Sequence, residues 1–113
     1  MTAANSTGVP AIEVEDLQRQ LLAAEGPFIL DVREPHEVAL CRIDGACNIP
    51  LGALAQRVLE LPRGRAIVAH CHHGGRSARA TQWLLLQGFE QVVNLTGGID
   101  AWALRVDPNM ERY

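Results

Sequence analysis

The chain holds 113 residues, 48% of them hydrophobic and 20% charged, enough for one domain around a single core and not for two. Its formal net charge of −3 argues against a nucleic-acid binder or a protein that coats anionic membranes. All ten basic residues are arginine, so neither lysine Schiff-base chemistry nor a P-loop lysine is available.

Residues 1–8 are polar and small, with neither a basic n-region nor an apolar h-region, so no signal peptide is expected. No apolar run approaches the length of a membrane span. The three cysteines, Cys41, Cys47 and Cys71, lack disulfide-framework spacing, which points to a reducing, cytoplasmic setting.

A flexible tail is expected over residues 1–9. Alternation of apolar and polar residues over 11–14 predicts a short strand, and Glu15-Asp16 then place acid at the start of a helix with Leu17, Leu21 and Leu22 on one face. Gly26-Pro27 stops it. Residues 28–33 read as an apolar strand ending in charge, followed by a short helix from Glu34 with Pro35 in its first turn. Asp44-Gly45 marks a turn, 46–49 a short strand, and 51–61 a helix with Leu54, Val58 and Leu61 inward. A buried strand over 66–70 follows. Then come a helix over 77–87 with Gly88 as its stop, a strand over 91–95, and a last helix over 99–104 anchored by Trp102. Residues 106–113 read as a tail that carries the one tyrosine. Strands and helices alternating in this way build a parallel α/β domain.

The chemistry concentrates at Cys71-His72-His73-Gly74-Gly75-Arg76-Ser77. Parallel sheets keep their ligand sites beyond the carboxyl ends of the strands, where Cys71 stands. Gly74 and Gly75 lack a Cβ, so their backbone can turn successive N–H groups inward. Ser77 is expected to cap the next helix, Arg76 to bind an anion or clamp the loop, and His72 and His73 to line the mouth. A thiol in such a setting is expected to ionise more readily than free cysteine and to act as the nucleophile. Asp31 and Arg33 are expected to brace the strand ends through charge-assisted hydrogen bonds. Cys41 and Cys47 read as packing residues, and Trp83 and Trp102 as core. The two adjacent loop histidines, expected to point apart and without a spaced partner motif, do not make a metal site.

Four segments in order carry a family resemblance: Asp31-Val32-Arg33-Glu34, Ile43-Asp44-Gly45-Ala46-Cys47-Asn48-Ile49-Pro50, Cys71-x-x-Gly74-x-Arg76-Ser77 and Gly97-Gly98-Ile99-Asp100-Ala101-Trp102. Over residues 10–105 the chain resembles a single-domain rhodanese, a sulfurtransferase. The resemblance implies a three-layer α/β/α domain with a five-stranded parallel sheet in the order 3-2-4-5-1. It also implies a Cys71 persulfide, charged by a small anionic donor such as thiosulfate and discharged to cyanide, a thiol or a sulfur-accepting protein, with no cofactor. Cys41-Arg42 stand where the family usually shows Gly-His, a departure expected to lie away from the loop. The 106–113 segment resembles the tail behind rhodanese domains fused to sulfur-carrier-activating enzymes.

Two other functions compete. A small cysteine phosphatase or arsenate reductase would use a loop one residue longer between cysteine and arginine, and no aspartate near this loop offers itself as general acid. A persulfide carrier would use the same cysteine to deliver sulfur to a partner protein with little small-molecule turnover.

Overall fold

The computed structural model describes the backbone of residues 3–4 and the chain from residue 8 to residue 113. The expected tail over residues 1–9 falls in part on residues 1, 2 and 5–7, which lie outside the described residues. Ala3–Ala4 forms a two-residue strand, β1. After it come β2 (Pro10–Ile12), α1 (Val14–Leu21), β3 (Phe28–Asp31), α2 (Pro35–Leu40) and β4 (Cys47–Asn48). The second half contains α3 (Leu54–Arg57), β5 (Ile67–His70), α4 (Gly75–Leu86), β6 (Val92–Leu95) and α5 (Gly98–Arg105).

The sheet runs β1-β2-β6-β5-β3-β4. Strands β2, β6, β5, β3 and β4 are parallel, and counted from the start of the chain their order is the expected 3-2-4-5-1. Strand β1 adds an antiparallel edge, Ala3 opposite Ala11 and Ala4 opposite Pro10.

Side chains alternate across a strand, and here both faces are covered. Leu30, Ile67 and Ala69 join the core beneath α3 and α4 with Leu54, Ala80 and Leu84. Ile29 and Val68 join the other core with Val14 and Leu17 of α1 and Ile99 and Trp102 of α5. Cys71 continues the two-residue rhythm of Ile67 and Ala69 one step past the end of β5, so its side chain falls on the α4 face.

Three expectations need correction. The helix over 51–61 is instead a 3-10 turn at Leu51–Ala53, the four-residue α3 and a second 3-10 turn at Val58–Glu60. None of these turns has a side-chain cap and Gly52 sits in the first, so nothing propagates a continuous helix. Leu22 leaves the apolar face, 85% exposed at the end of α1. Helix α4 begins at Gly75, capped by Gly74, so Ser77 lies inside its first turn rather than at its cap. Among the described residues no helix is long and apolar enough to cross a membrane.

Candidate active site

The sheet register brings Asp31 of β3 level with His70 of β5, at the carboxyl edge from which Cys71 departs. Asp31 accepts from the main-chain N–H of Arg33 at 3.0 Å, from its Nε at 3.0 Å and from its Nη2 at 2.7 Å. Both side chains are buried, so the pair satisfies charges that would otherwise be costly there. The bracing role expected of Asp31 and Arg33 has this geometry. His70 is fully buried, with Nε2 3.7 Å from Asp31 and no hydrogen-bond partner for that nitrogen. Burial pushes the imidazole below its ordinary pKa, which keeps it neutral.

Cys71 is 2% exposed. Its sulfur accepts from the Gly74 N–H at 3.1 Å and lies 3.4 Å from the Ser77 hydroxyl. Gly74 adopts φ +120°, a conformation that side chains resist, and this turn is what aims its amide at the sulfur. The carbonyls of the loop point the other way. Cys71 O accepts from Ile99 N at 2.9 Å and His72 O from Asp100 N at 3.1 Å, both in the first turn of α5. Because a trans peptide sets N–H opposite C=O, anchoring these carbonyls on α5 turns the His72 and His73 amides away from that helix. Close approach is required for this: a Cβ on Gly98 would lie 2.5 Å from both carbonyl oxygens.

Ser77 is buried within hydrogen-bond reach of three acceptors, Cys71 Sγ, Gly74 O at 3.3 Å and Asn94 Oδ1 at 2.5 Å. One hydroxyl proton serves one of them at a time. Asn94 in turn donates through Nδ2 to Gly74 O at 3.1 Å. Where successive inward amides are expected, one amide, that of Gly74, reaches the sulfur, backed by a serine and an asparagine that hold the turn.

Arg76 takes a different place from the one its position in the loop suggests. Both terminal nitrogens go to Glu37, at 2.6 and 2.9 Å, rather than being left free for an anion. Glu37 also accepts from the Glu34 N–H at 3.0 Å and the Tyr113 hydroxyl at 2.8 Å. The Arg76 guanidinium holds its carboxyl well below the usual carboxylate range. Tyr113 accepts from Arg33 Nη1 at 3.1 Å, which links the Asp31–Arg33 pair to the Glu37–Arg76 pair.

His72 and His73 stack on one another, centroids 3.9 Å apart, and the other face of His72 stacks on Tyr113, also at 3.9 Å. The expectation that these histidines point apart is therefore wrong. Together with Asp100 they bring three possible metal-ligand atoms within 4.8 Å of one another. Arg112 donates to Asp100 at 3.0 Å. Gly75 starts α4 with no Cβ contact to make, while Cys41 and Cys47 are free and half-buried, Cys41 at the end of α2 and Cys47 in β4.

Glu37, Asn94 and Tyr113 were not among the expected site residues. Asn94 left a sequence signal, a polar residue in an apolar strand. The pairing of Glu37 with Arg76 left none, because the partners are far apart in the chain.

A strand-end cysteine seated under a Gly-turned amide, on a five-stranded parallel sheet, has close counterparts. The rhodanese-like domain family matches residues 13–105. A sulfurtransferase of Allochromatium vinosum is 38% identical over 95 residues, covering 84% of this chain and 89% of its relative. The putative sulfur carrier protein YrkF of Bacillus subtilis is 36% identical over 98 residues, 87% of this chain but 53% of that protein. The crystal structure of a rhodanese-related protein from Thermoplasma volcanium superposes with a TM-score of 0.78 at 33% identity, covering 85% of this chain and 92% of the other. Matched along most of its length in both sequence and fold, the chain belongs to the rhodanese-like family of sulfurtransferases and sulfur carriers.

Proposed function

We propose that Cys71 is the nucleophile of a sulfurtransferase that passes a sulfane sulfur from a donor such as thiosulfate to a thiophilic acceptor. The carrying observation is the Gly74 N–H at 3.1 Å from Sγ, with the Ser77 hydroxyl beside it, donors placed where negative charge must be held. In the first step the Cys71 thiolate attacks the outer sulfur of thiosulfate, and the S–S bond breaks with its electron pair leaving on sulfite. Cys71 then carries a persulfide anion. Cyanide attacks the terminal sulfur in the second step, forming thiocyanate and returning the thiolate.

A phosphatase fits less well. The loop places four residues between Cys71 and Arg76, one fewer than a cysteine phosphatase would use. The nearby carboxylates favour the ionised form, which suits a general acid poorly: Arg76 holds the Glu37 carboxyl well below the usual carboxylate range, and Arg112 lowers that of Asp100. Relay to a sulfur-accepting protein is the second reading, favoured by the similarity to YrkF. The experiment is a thiosulfate–cyanide assay read as thiocyanate, with p-nitrophenyl phosphate in parallel. Thiocyanate formed by the wild type and absent from Cys71→Ser supports transfer. Phosphate release without thiocyanate contradicts it, and persulfide loading without turnover selects the relay.

A further inference from the structure

Residues 106–113 do not trail away from the domain. Val106 and Asp107 close α5 by donating to Trp102 O at 2.8 and 2.9 Å, and Met110 N turns the chain by donating to Asp107 O at 3.0 Å. Val106 and Met110 rest against the core on that face. The segment then crosses to the cysteine loop, where Arg112 Nε donates to Asp100 at 3.0 Å. Tyr113 completes the crossing. Its ring lies within 10° of parallel on His72, the residue after Cys71, and its hydroxyl donates to Glu37, the partner of Arg76. One side chain thereby touches the start of the loop directly and its end through a single carboxylate. The half-open space beside it, lined by Cys41, His72, Ile99 and Ala103, holds only about 140 Å³. The His72 Nε2 is buried without a partner, and Cys71 is 2% exposed.

We propose that Tyr113 is the latch of a strap over the Cys71 loop, and that it determines which sulfur donors and acceptors reach the cysteine. With the latch closed, small ions are favoured. A bulky persulfide or a partner protein reaches the loop when the Tyr113 ring leaves His72 and its hydroxyl leaves Glu37 and Arg33. The stack and the two hydrogen bonds to charged partners are the contacts that must break, so their removal shifts selection by size. This deepens the sulfurtransferase reading and takes its functional meaning from it, but the access of reagents to the thiol can be measured without any sulfur transfer.

The test uses the full chain as wild type, Tyr113→Phe and Tyr113→Ala, with folding checked by circular dichroism. Cys71 alkylation is followed by peptide mass spectrometry with iodoacetamide and with a polyethylene-glycol maleimide, and Cys47 serves as an internal control. Tyr113→Ala is expected to accelerate the bulky reagent at Cys71 about tenfold relative to the small one, with Tyr113→Phe between it and wild type. In parallel, kcat/KM for glutathione persulfide relative to thiosulfate is expected to rise about tenfold in Tyr113→Ala. Equal acceleration of both reagents, or of neither, overturns the latch, since general loosening does not sort by size. If no variant transfers sulfur while the size shift at Cys71 is present, the latch stands and the sulfurtransferase reading fails. Sulfur transfer with unchanged labelling and unchanged donor ratio means the reverse.

Discussion

Arg76 and Glu37 meet across 39 positions of sequence, guanidinium to carboxylate at 2.6 and 2.9 Å. The pair ties the first turn of α4, where the cysteine loop ends, to α2, the helix that follows the neighbouring strand β3. It also neutralises the guanidinium that stands nearest the loop in sequence, so attraction for an anionic donor is weaker than the sequence alone suggests.

Replacing Glu37 by Gln separates these two effects. The pair is partly exposed on the Arg76 side, so its loss is expected to lower stability by only about 1–2 kcal/mol, read as a urea midpoint. The freed Arg76 is expected to lower the KM for thiosulfate several-fold. A KM that rises would mean that the pair itself shapes the donor site.

Acid destabilises the fold in two stages. Burial holds His70 neutral below its ordinary value of 6.5, so beneath that pH the unfolded chain binds a proton that the folded chain does not, and stability falls as pH drops. Glu37 adds a second stage, because Arg76 depresses its carboxyl below the ordinary 4.5. Its contribution is complete above that value and is lost as pH falls toward the folded one. Urea midpoints measured from about pH 7.5 to 3.5 are expected to show both stages, and Glu37→Gln to shrink only the lower, to which the ion-paired Asp100 also adds. A midpoint flat between about pH 7 and 5 would contradict the neutral, buried His70.

Gly98→Ala probes the support of the loop from α5. At φ +60° a Cβ would press on the carbonyls of Cys71 and His72 at 2.5 Å, with backbone on both sides and no flexible side chain to yield. A stability loss of about 1–3 kcal/mol is expected, together with a fall in kcat as the loop shifts off α5. Normal kcat in a destabilised variant would show that the chemistry tolerates loop movement.

Ser77→Ala removes the hydroxyl shared between Cys71 and Asn94. The site is buried, so Asn94 Oδ1 is left without that donor, at a cost of about 1–3 kcal/mol. Persulfide loading is expected to slow about tenfold, whereas Ser77→Thr, which restores a hydroxyl, should recover part of the rate. Loading at wild-type speed in the alanine variant would assign Ser77 to packing alone.

Much of this architecture is legible in the chain because local and global signals agree. Phe28–Asp31 and Ile67–His70 are largely apolar runs bounded by turns, and they form two adjacent interior strands. The strand-loop-helix placement of Cys71 follows from the same pattern. What escaped the sequence depends on partners distant in the chain. Glu37 announces itself only as the third residue of a capping box with Glu34, a local role that hides its pairing with Arg76. Ser77, read as a cap from its residue type, is displaced because the positive φ of Gly74 starts the helix earlier. Tyr113 gave no periodic signal at all, since its placement rests on side-chain contacts with His72, Glu37 and Arg33 rather than on any regular element.

The most direct measurement is the intact mass of the protein after incubation with thiosulfate and removal of excess donor, for wild type and Cys71→Ser. The expected result is a gain of one sulfur on the wild type, located at Cys71 by peptide mapping, reversed by cyanide and absent from the variant. A wild type that gains no sulfur from any donor, or a variant that gains it as readily, would contradict the assignment of sulfur chemistry to this cysteine.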